Sequence, residues 1–170
     1  GTTDLVVLPE MFTTGFTMNT ALAETMEGET VRWLKEQAAR TDAAIYGSVI
    51  ITEGGKAFNR GLFVTPDGSV THYDKRHLFR FANETDHFSA GDQRVVVEWR
   101  GWRLLLQVCF DLRFPVFSRN RDDYDAALYV ANWPEVRSWP WSQLLIARAI
   151  ENQCYVIGLN RVGMDGKGIH

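Results

Sequence analysis

The apolar residues of this chain gather in short runs separated by turn residues, and most of the runs have the length and rhythm of strands. Asp4-Leu5-Val6-Val7-Leu8-Pro9-Glu10 is a continuous apolar run closed by a proline and an acid, the pattern of a strand buried on both faces. Residues 11–20 are rich in Thr and Gly and read as a loop. From Glu29 to Thr41 the spacing changes to three and four, with Val31, Leu34 and Ala38 on one stripe, which predicts a helix. Ala43–Thr52 is rich in β-branched residues and predicts a strand. Gly54-Gly55 then predicts a hairpin turn, and Arg60–Thr65 the next strand. Pro66-Asp67-Gly68-Ser69 is a turn in which Pro fixes φ and Gly accepts a positive φ. Val70–Lys75 follows as a strand.

Residues 76–93 form a long polar stretch containing Phe79, Phe81 and Phe88, and a loop of that length in a compact domain is more often functional than idle. Arg94–Trp99 and Trp102–Cys109 predict two strands joined by a second hairpin at Arg100-Gly101. Pro115–Arg121 starts a helix, with proline tolerated in its first turn. Ala126–Asn132 predicts a buried strand. Pro140–Gln153 predicts a helix with Trp141, Leu144, Leu145 and Ala149 along one stripe, and Cys154–Leu159 a last buried strand. The tail, Gly163–His170, carries three glycines. No repeat, low-complexity run or linker divides the chain. Strands crowd the middle while helices separate strands towards both ends, which favours a mixed α/β sandwich with inserted hairpins over a plain doubly wound sheet.

Composition narrows the function classes. The chain has 170 residues, 45% hydrophobic and 23% charged, with a net charge of -3. That is the profile of one globular domain with ample aromatic bulk, and it excludes a disordered tail, a collagen-like fibre and a coiled coil. A nucleic-acid binder is expected to carry a basic excess, so no nucleic-acid partner is expected. No apolar run approaches the roughly 20 residues needed to span a bilayer, so no membrane partner is expected either. Two cysteines, Cys109 and Cys154, make no disulfide framework, and a reducing, cytoplasmic setting is expected. Asn83-Glu84-Thr85 matches the glycosylation triplet, a pattern short enough to occur by chance.

Three chemically useful residues each close an apolar strand: Glu10, Lys75 and Cys109. Open α/β sheets place ligands at strand ends. An acid, an amine and a thiol suit acyl transfer: the sulfur attacks, the carboxylate takes its proton and the ammonium steadies a developing oxyanion. The cation is also expected to lower the thiol's proton affinity. Taken singly, each has a plainer reading. A cysteine at the end of an apolar strand is, on base rates, a core residue, and a lone Glu or Lys there is a solvated charge. Spacing alone does not bring the three together.

The residues around them resemble the carbon–nitrogen hydrolase (nitrilase) superfamily along nearly the whole chain. The matching segments are Leu8-Pro9-Glu10-Met11-Phe12, Tyr73-Asp74-Lys75-Arg76-His77-Leu78-Phe79 and Val108-Cys109-Phe110-Asp111-Leu112-Arg113-Phe114-Pro115. They occur in the family's order, and Ala131-Asn132-Trp133-Pro134 and Ala147-Arg148-Ala149-Ile150-Glu151-Asn152 match as well. The details look most like the omega-amidase branch, which hydrolyses the terminal amide of 2-oxo dicarboxylic acid monoamides. The resemblance implies an α-β-β-α sandwich, a cysteine thioester, release of ammonia, and no cofactor or metal. It implies Glu10 as general base, Lys75 as oxyanion stabiliser, Cys109 as nucleophile and Glu84 as a second glutamate beside them. The Phe110 N–H is expected to complete the oxyanion hole with Lys75. A homodimer or larger homo-oligomer and a small-molecule amide substrate are further implications. Because family members carry a strand and a helix ahead of the position of Leu5 and further strands beyond that of His170, residues 1–170 are expected to be a single but incomplete domain.

Phe16, Asn132, Trp133 and Arg137 are the candidate substrate-binding residues, with Arg137 the preferred carboxylate ligand. Phe12 is a further candidate for the pocket wall. Arg113 reads first as the structural partner of an acid, and second as a carboxylate ligand. His72, His77 and His87 have no metal-site spacing; Cys154 reads as packing and Glu151 as structural. Two alternatives remain open: another amidase, carbamoylase or nitrilase of the superfamily, and a non-catalytic fragment that acts only by assembly.

Overall fold

A computed structural model describes residues 3–164, so the end of the glycine-rich tail lies outside the described residues. The strands form two four-stranded sheets. The first runs β1 (Leu5–Val7), β2 (Ala44–Glu53), β3 (Lys56–Val64) and β4 (Val70–Asp74), with β1 parallel to β2 and the rest antiparallel. The second runs β5 (Val96–Trp99), β6 (Trp102–Val108), β7 (Ala126–Ala131) and β8 (Tyr155–Asn160), with β5 antiparallel to β6 and the last three parallel. Two longer helices, α1 (Glu29–Thr41) and α4 (Ser138–Asn152), accompany two single turns, α2 (Glu84–His87) and α3 (Pro115–Ser118).

The alternation of side chains along each strand builds the layers. On β2, Ala44 and Tyr46 join a core that contains Leu104, Leu106, Val108 and most of β7. On its opposite face, Ile45, Val49 and Ile51 meet Val31, Leu34 and Ala38 of α1. The Tyr46 hydroxyl donates to the Gln107 carbonyl at 3.0 Å, joining the two sheets. Trp141, Leu144 and Leu145 of α4 pack on the second sheet, and a β-carbon at Gly158 would collide with Leu145. The product is the expected α-β-β-α sandwich. Both predicted hairpins are present, with Gly54, Gly55, Arg100 and Gly101 all at positive φ, as tight two-residue turns require.

Several boundaries differ from the expectation. β1 stops at Val7, because the chain turns away before Glu10. β3 begins at Lys56 rather than Arg60, since the Gly54-Gly55 turn sets a register that pairs Glu53 with Lys56. The 76–93 stretch holds a 3-10 turn at Arg80–Ala82 and the helical turn α2. β5 starts at Val96, and the Pro115 helix ends at Ser118. β8 is not a buried strand: Tyr155 and Ile157 are 69% and 41% exposed, because among the described residues β8 pairs with β7 alone.

Candidate active site

Three segments converge at one end of the sandwich. After β1 the Leu8 N–H donates to the Tyr46 carbonyl at 2.7 Å, and the chain then turns through Glu10 and Met11, whose φ is +45°. Lys75 lies one residue beyond β4, with its N–H on the Asn59 carbonyl at 3.0 Å. Cys109 follows β6 directly and opens a 3-10 turn, Cys109–Arg113. Its φ of +47° is a left-handed conformation that a non-glycine residue adopts only when its surroundings enforce it. Asp111 provides that enforcement. Its buried carboxylate accepts from Val108 N–H at 3.0 Å, Tyr73 O–H at 2.7 Å and His77 N–H at 2.9 Å, and lies 2.8 Å from His77 Nδ1. One carboxylate thus fastens the cysteine turn to the segment that carries Lys75. His77 is held further by stacking on Phe114, with ring centroids 3.7 Å apart.

Glu10, Lys75 and Glu84 are all completely buried. Lys75 Nζ donates to Glu10 Oε1 at 2.8 Å and to Glu84 Oε2 and Oε1 at 2.9 and 3.1 Å. Asn59 Nδ2 donates to the same two Oε1 atoms, at 2.8 Å for Glu10 and 3.0 Å for Glu84. The Phe79 N–H, at 2.5 Å, takes up Glu84 Oε2. Both oxygens of Glu84 are therefore committed. Glu10 differs: Oε1 holds two donors, while Oε2 receives the Asn132 N–H at 2.9 Å and keeps capacity for another proton. Asn132 also bonds the Glu10 carbonyl through its side chain, so its contacts orient Glu10.

The electrostatics follow from burial. Desolvation alone would push the Lys75 pKa down, but the charges of Glu10 and Glu84 overcome it and hold Lys75 above the ordinary lysine value. The Cys109 thiol is pushed well above its ordinary value, by burial first and by the Glu10 charge second, with Lys75 opposing. Lys75 does lower the thiol's proton affinity, as expected, but burial and Glu10 outweigh it. Cys109 rests as a neutral thiol beside a carboxylate.

Cys109 opens into a cavity of about 570 Å³ whose wall includes Phe16, Phe79, Phe110, Asn132, Trp133 and Arg137. The Phe16 ring lies 5.5 Å from Lys75 Nζ. Trp133 is buried, and its indole N–H donates to the Arg137 carbonyl at 2.7 Å. Arg113 lines the same cavity, its guanidinium 5.1 Å over the Trp133 ring, and Arg137 lies 5.5 Å over Phe79. The expected acid partner of Arg113 is absent: among the described residues neither arginine forms an ion pair. Phe12 does not join the wall; it packs beside Trp33 of α1, with ring centroids 6.3 Å apart. Glu151 pairs with Arg148 at 2.7 Å, as a structural residue would. Among the described residues no group of three or more His, Cys, Asp or Glu could hold a metal ion, and no helix is long and apolar enough to cross a membrane.

Sequence reasoning missed Ser48, Asn59 and Asp111 as parts of this site. Asn59 gave no signal, because asparagine is depleted in strands and it lay ahead of the strand expected from Arg60.

Comparison with known proteins follows the same line. Residues 1–170 match the carbon–nitrogen hydrolase family. The chain is 60% identical over 167 residues to Omega-amidase YafV of Yersinia enterocolitica, covering 98% of this chain and 65% of that protein. It is 35% identical over 168 residues to 2-oxoglutaramate amidase of Bacillus subtilis, covering 95% and 65%. A CN-hydrolase superfamily protein of Xanthomonas campestris, whose crystal structure carries an arsenic adduct in the active site, superposes with a TM-score of 0.96 at 55% identity. That match covers 100% of this chain and 68% of the other. The chain thus spans just under two thirds of the length of both curated relatives.

Proposed function

The chain belongs to the carbon–nitrogen hydrolase family, and from that premise we propose that the protein is an omega-amidase, hydrolysing the terminal amide of a small 2-oxo dicarboxylic acid monoamide. The observation that carries this reading is one cavity that holds Cys109 and two arginines without ion-pair partners among the described residues, with Glu10 and Lys75 buried beside the thiol. The similarity to omega-amidase and 2-oxoglutaramate amidase supports the substrate class.

In this reading Cys109 Sγ attacks the amide carbon while its proton passes to Glu10, at Oε2, the oxygen with spare capacity. Transfer during attack fits a thiol that burial holds well above its ordinary value. The carbonyl oxygen becomes an oxyanion held by Lys75 Nζ and the Phe110 N–H. The C–N bond breaks, Glu10 returns the proton to the departing nitrogen, and ammonia leaves a thioester on Cys109. Water then attacks the thioester carbon, gives a proton to Glu10, and the carbon–sulfur bond breaks. The proton returns to the sulfur and the dicarboxylic acid departs. Glu84 keeps Lys75 oriented without entering the proton transfers. Phe16 and Trp133 form apolar walls, Asn132 holds Glu10, and Arg137 with Arg113 receives the substrate carboxylate. No metal or organic cofactor takes part in these steps.

The test is ammonia release from 2-oxoglutaramate by the Cys109→Ala variant. A loss of at least about 1,000-fold is expected, and unchanged turnover would refute the reading. We also propose a homodimer or larger homo-oligomer, on the strength of Trp139, Ile146 and Ile150, which leave one face of α4 between 53% and 74% exposed. Light scattering after size exclusion measures it; a monomer at all concentrations would refute it.

A further inference from the structure

Arg113 and Arg137 reach the cavity from different parts of the fold, Arg113 from the end of the 3-10 turn that Cys109 opens and Arg137 from the end of the turn Glu135–Arg137. Neither forms an ion pair among the described residues. One side chain touches both. The Trp133 ring carries the Arg113 guanidinium at 5.1 Å, and the Trp133 indole N–H donates to the Arg137 carbonyl at 2.7 Å. The Arg137 N–H donates in turn to the Pro134 carbonyl at 2.9 Å. A three-residue 3-10 turn has too few bonds of its own to persist, so Nε1 of Trp133 fastens the end that bears the arginine. Trp133 is itself fixed. Its backbone N–H donates to Asn160 Oδ1 and its carbonyl accepts from Asn160 Nδ2, both at 2.7 Å. Asn160 ends β8, outside the cavity wall. The Trp141 ring of α4 lies 5.1 Å from that of Trp133.

We propose that Trp133 is the positioning residue for carboxylate recognition, its ring face setting Arg113 and its indole N–H setting Arg137, so that the pocket favours acid-tailed amides over neutral amides of the same length. The argument is one of preorganisation. Arg113 is exposed, and an exposed arginine gives up side-chain freedom when it grips a ligand. A ring face orders the guanidinium beforehand without spending the fork of N–H donors that a carboxylate needs. An acid in the same place would order the guanidinium and also neutralise it. The indole N–H does the corresponding work on the backbone of Arg137. A bond at the carbonyl leaves that guanidinium to the cavity, 5.5 Å over Phe79. The two handles are chemically separable. Phenylalanine keeps a ring face and lacks the N–H; leucine lacks both. A plain apolar wall, by contrast, would act on every amide that enters, whatever its tail.

The proposal rests on the amidase reading for its substrates, so the experiment has two arms. The first is the ratio of kcat/KM for 2-oxoglutaramate to kcat/KM for pentanamide, a neutral amide of the same chain length. The second, which needs no turnover, is the Kd of 2-oxoglutarate by isothermal titration calorimetry. In Trp133→Phe the ratio should fall and the Kd should rise, each by about 3- to 10-fold, the loss of one neutral hydrogen bond. Trp133→Leu should move both by about 10- to 100-fold. Double variants separate the handles: Trp133→Phe should add nothing to Arg137→Ala and should multiply with Arg113→Ala. A fall in both kcat/KM values that leaves their ratio unchanged is what a wall or a folding defect gives, and it overturns the proposal. So does a Trp133→Phe effect that multiplies with Arg137→Ala. If the Trp133 variants do not fold, Asn160→Ala decides, since among the described residues the Asn160 side chain bonds only the Trp133 backbone. It should lower the ratio and raise the Kd in the same directions, and unchanged values would overturn the proposal. If the parent hydrolyses neither amide, the substrate reading fails separately and the calorimetric arm decides. A parent that also binds no 2-oxoglutarate has no carboxylate site to organise, which overturns the proposal as well.

Discussion

Replacing Lys75 with methionine keeps the volume of the side chain and removes its charge. Lys75 Nζ sits 2.8 Å from Glu10 and 2.9 Å from Glu84. At an effective dielectric of about 20, each contact is worth about 6 kcal/mol of Coulomb attraction. Desolvation of the ammonium offsets several kcal/mol of that. Breaking a buried pair from one side typically costs about 3–5 kcal/mol, and that is the expected loss at neutral pH. For a domain of this size it corresponds to a fall in Tm of roughly 6–20 °C. The pH dependence gives the sharper test. In the parent protein the Lys75 pKa is raised above its ordinary 10.5. Its contribution is therefore fully present below that pH and erodes only above it. In the variant the cost comes from uncompensated carboxylates, and protonation removes it. The Tm difference between parent and Lys75→Met should shrink steadily from about pH 8 to about pH 5. Differential scanning calorimetry across that range measures it. A difference that stays constant with pH would show that the defect is packing, and would refute the charge argument.

Removing Asp111 with alanine strips the acceptor from the Val108 and His77 N–H groups and the Tyr73 hydroxyl. A loss of about 3 kcal/mol in urea denaturation is expected; a loss under about 1 kcal/mol would mean that the cysteine turn holds itself. Arg113→Ala and Arg137→Ala should each raise KM for an acid-tailed amide by about 10- to 100-fold, the loss of one charged hydrogen bond. kcat, and the hydrolysis of a neutral aliphatic amide, should change little. Equal losses on both substrates in steady-state kinetics would remove the arginines from carboxylate recognition.

Much of the site was legible because its parts stand where apolar patterns end. Glu10, Lys75 and Cys109 were found as the residues closing three runs, and the fold brings all three together. Burial, however, is a tertiary property. Read alone, Glu84 sits in a polar stretch, yet α2 carries it to zero exposure against Lys75. Arg113 was first read as the partner of an acid because most arginines in folded chains have one. Only the cavity shows it lying over Trp133 without one among the described residues. The net direction of the Cys109 shift was not legible for a related reason. A cation nearby is visible in the sequence, but the burial that outweighs it is not. Ser48 escaped because a polar residue inside a strand pattern usually marks a solvated face, and Asn59 because it lay ahead of the strand expected from Arg60; both are completely buried. The end of β8 shows the reverse error, an apolar pattern that belongs to an exposed face.

The central claim is that Cys109 carries the acyl group. Acid-quenched mass spectrometry during steady-state turnover of 2-oxoglutaramate tests it most directly. The account predicts that the peptide containing Cys109 gains the mass of the substrate acyl group, and that the gain disappears when substrate is exhausted. Full turnover with that peptide unmodified throughout, or with the adduct on Cys154 instead, would contradict it.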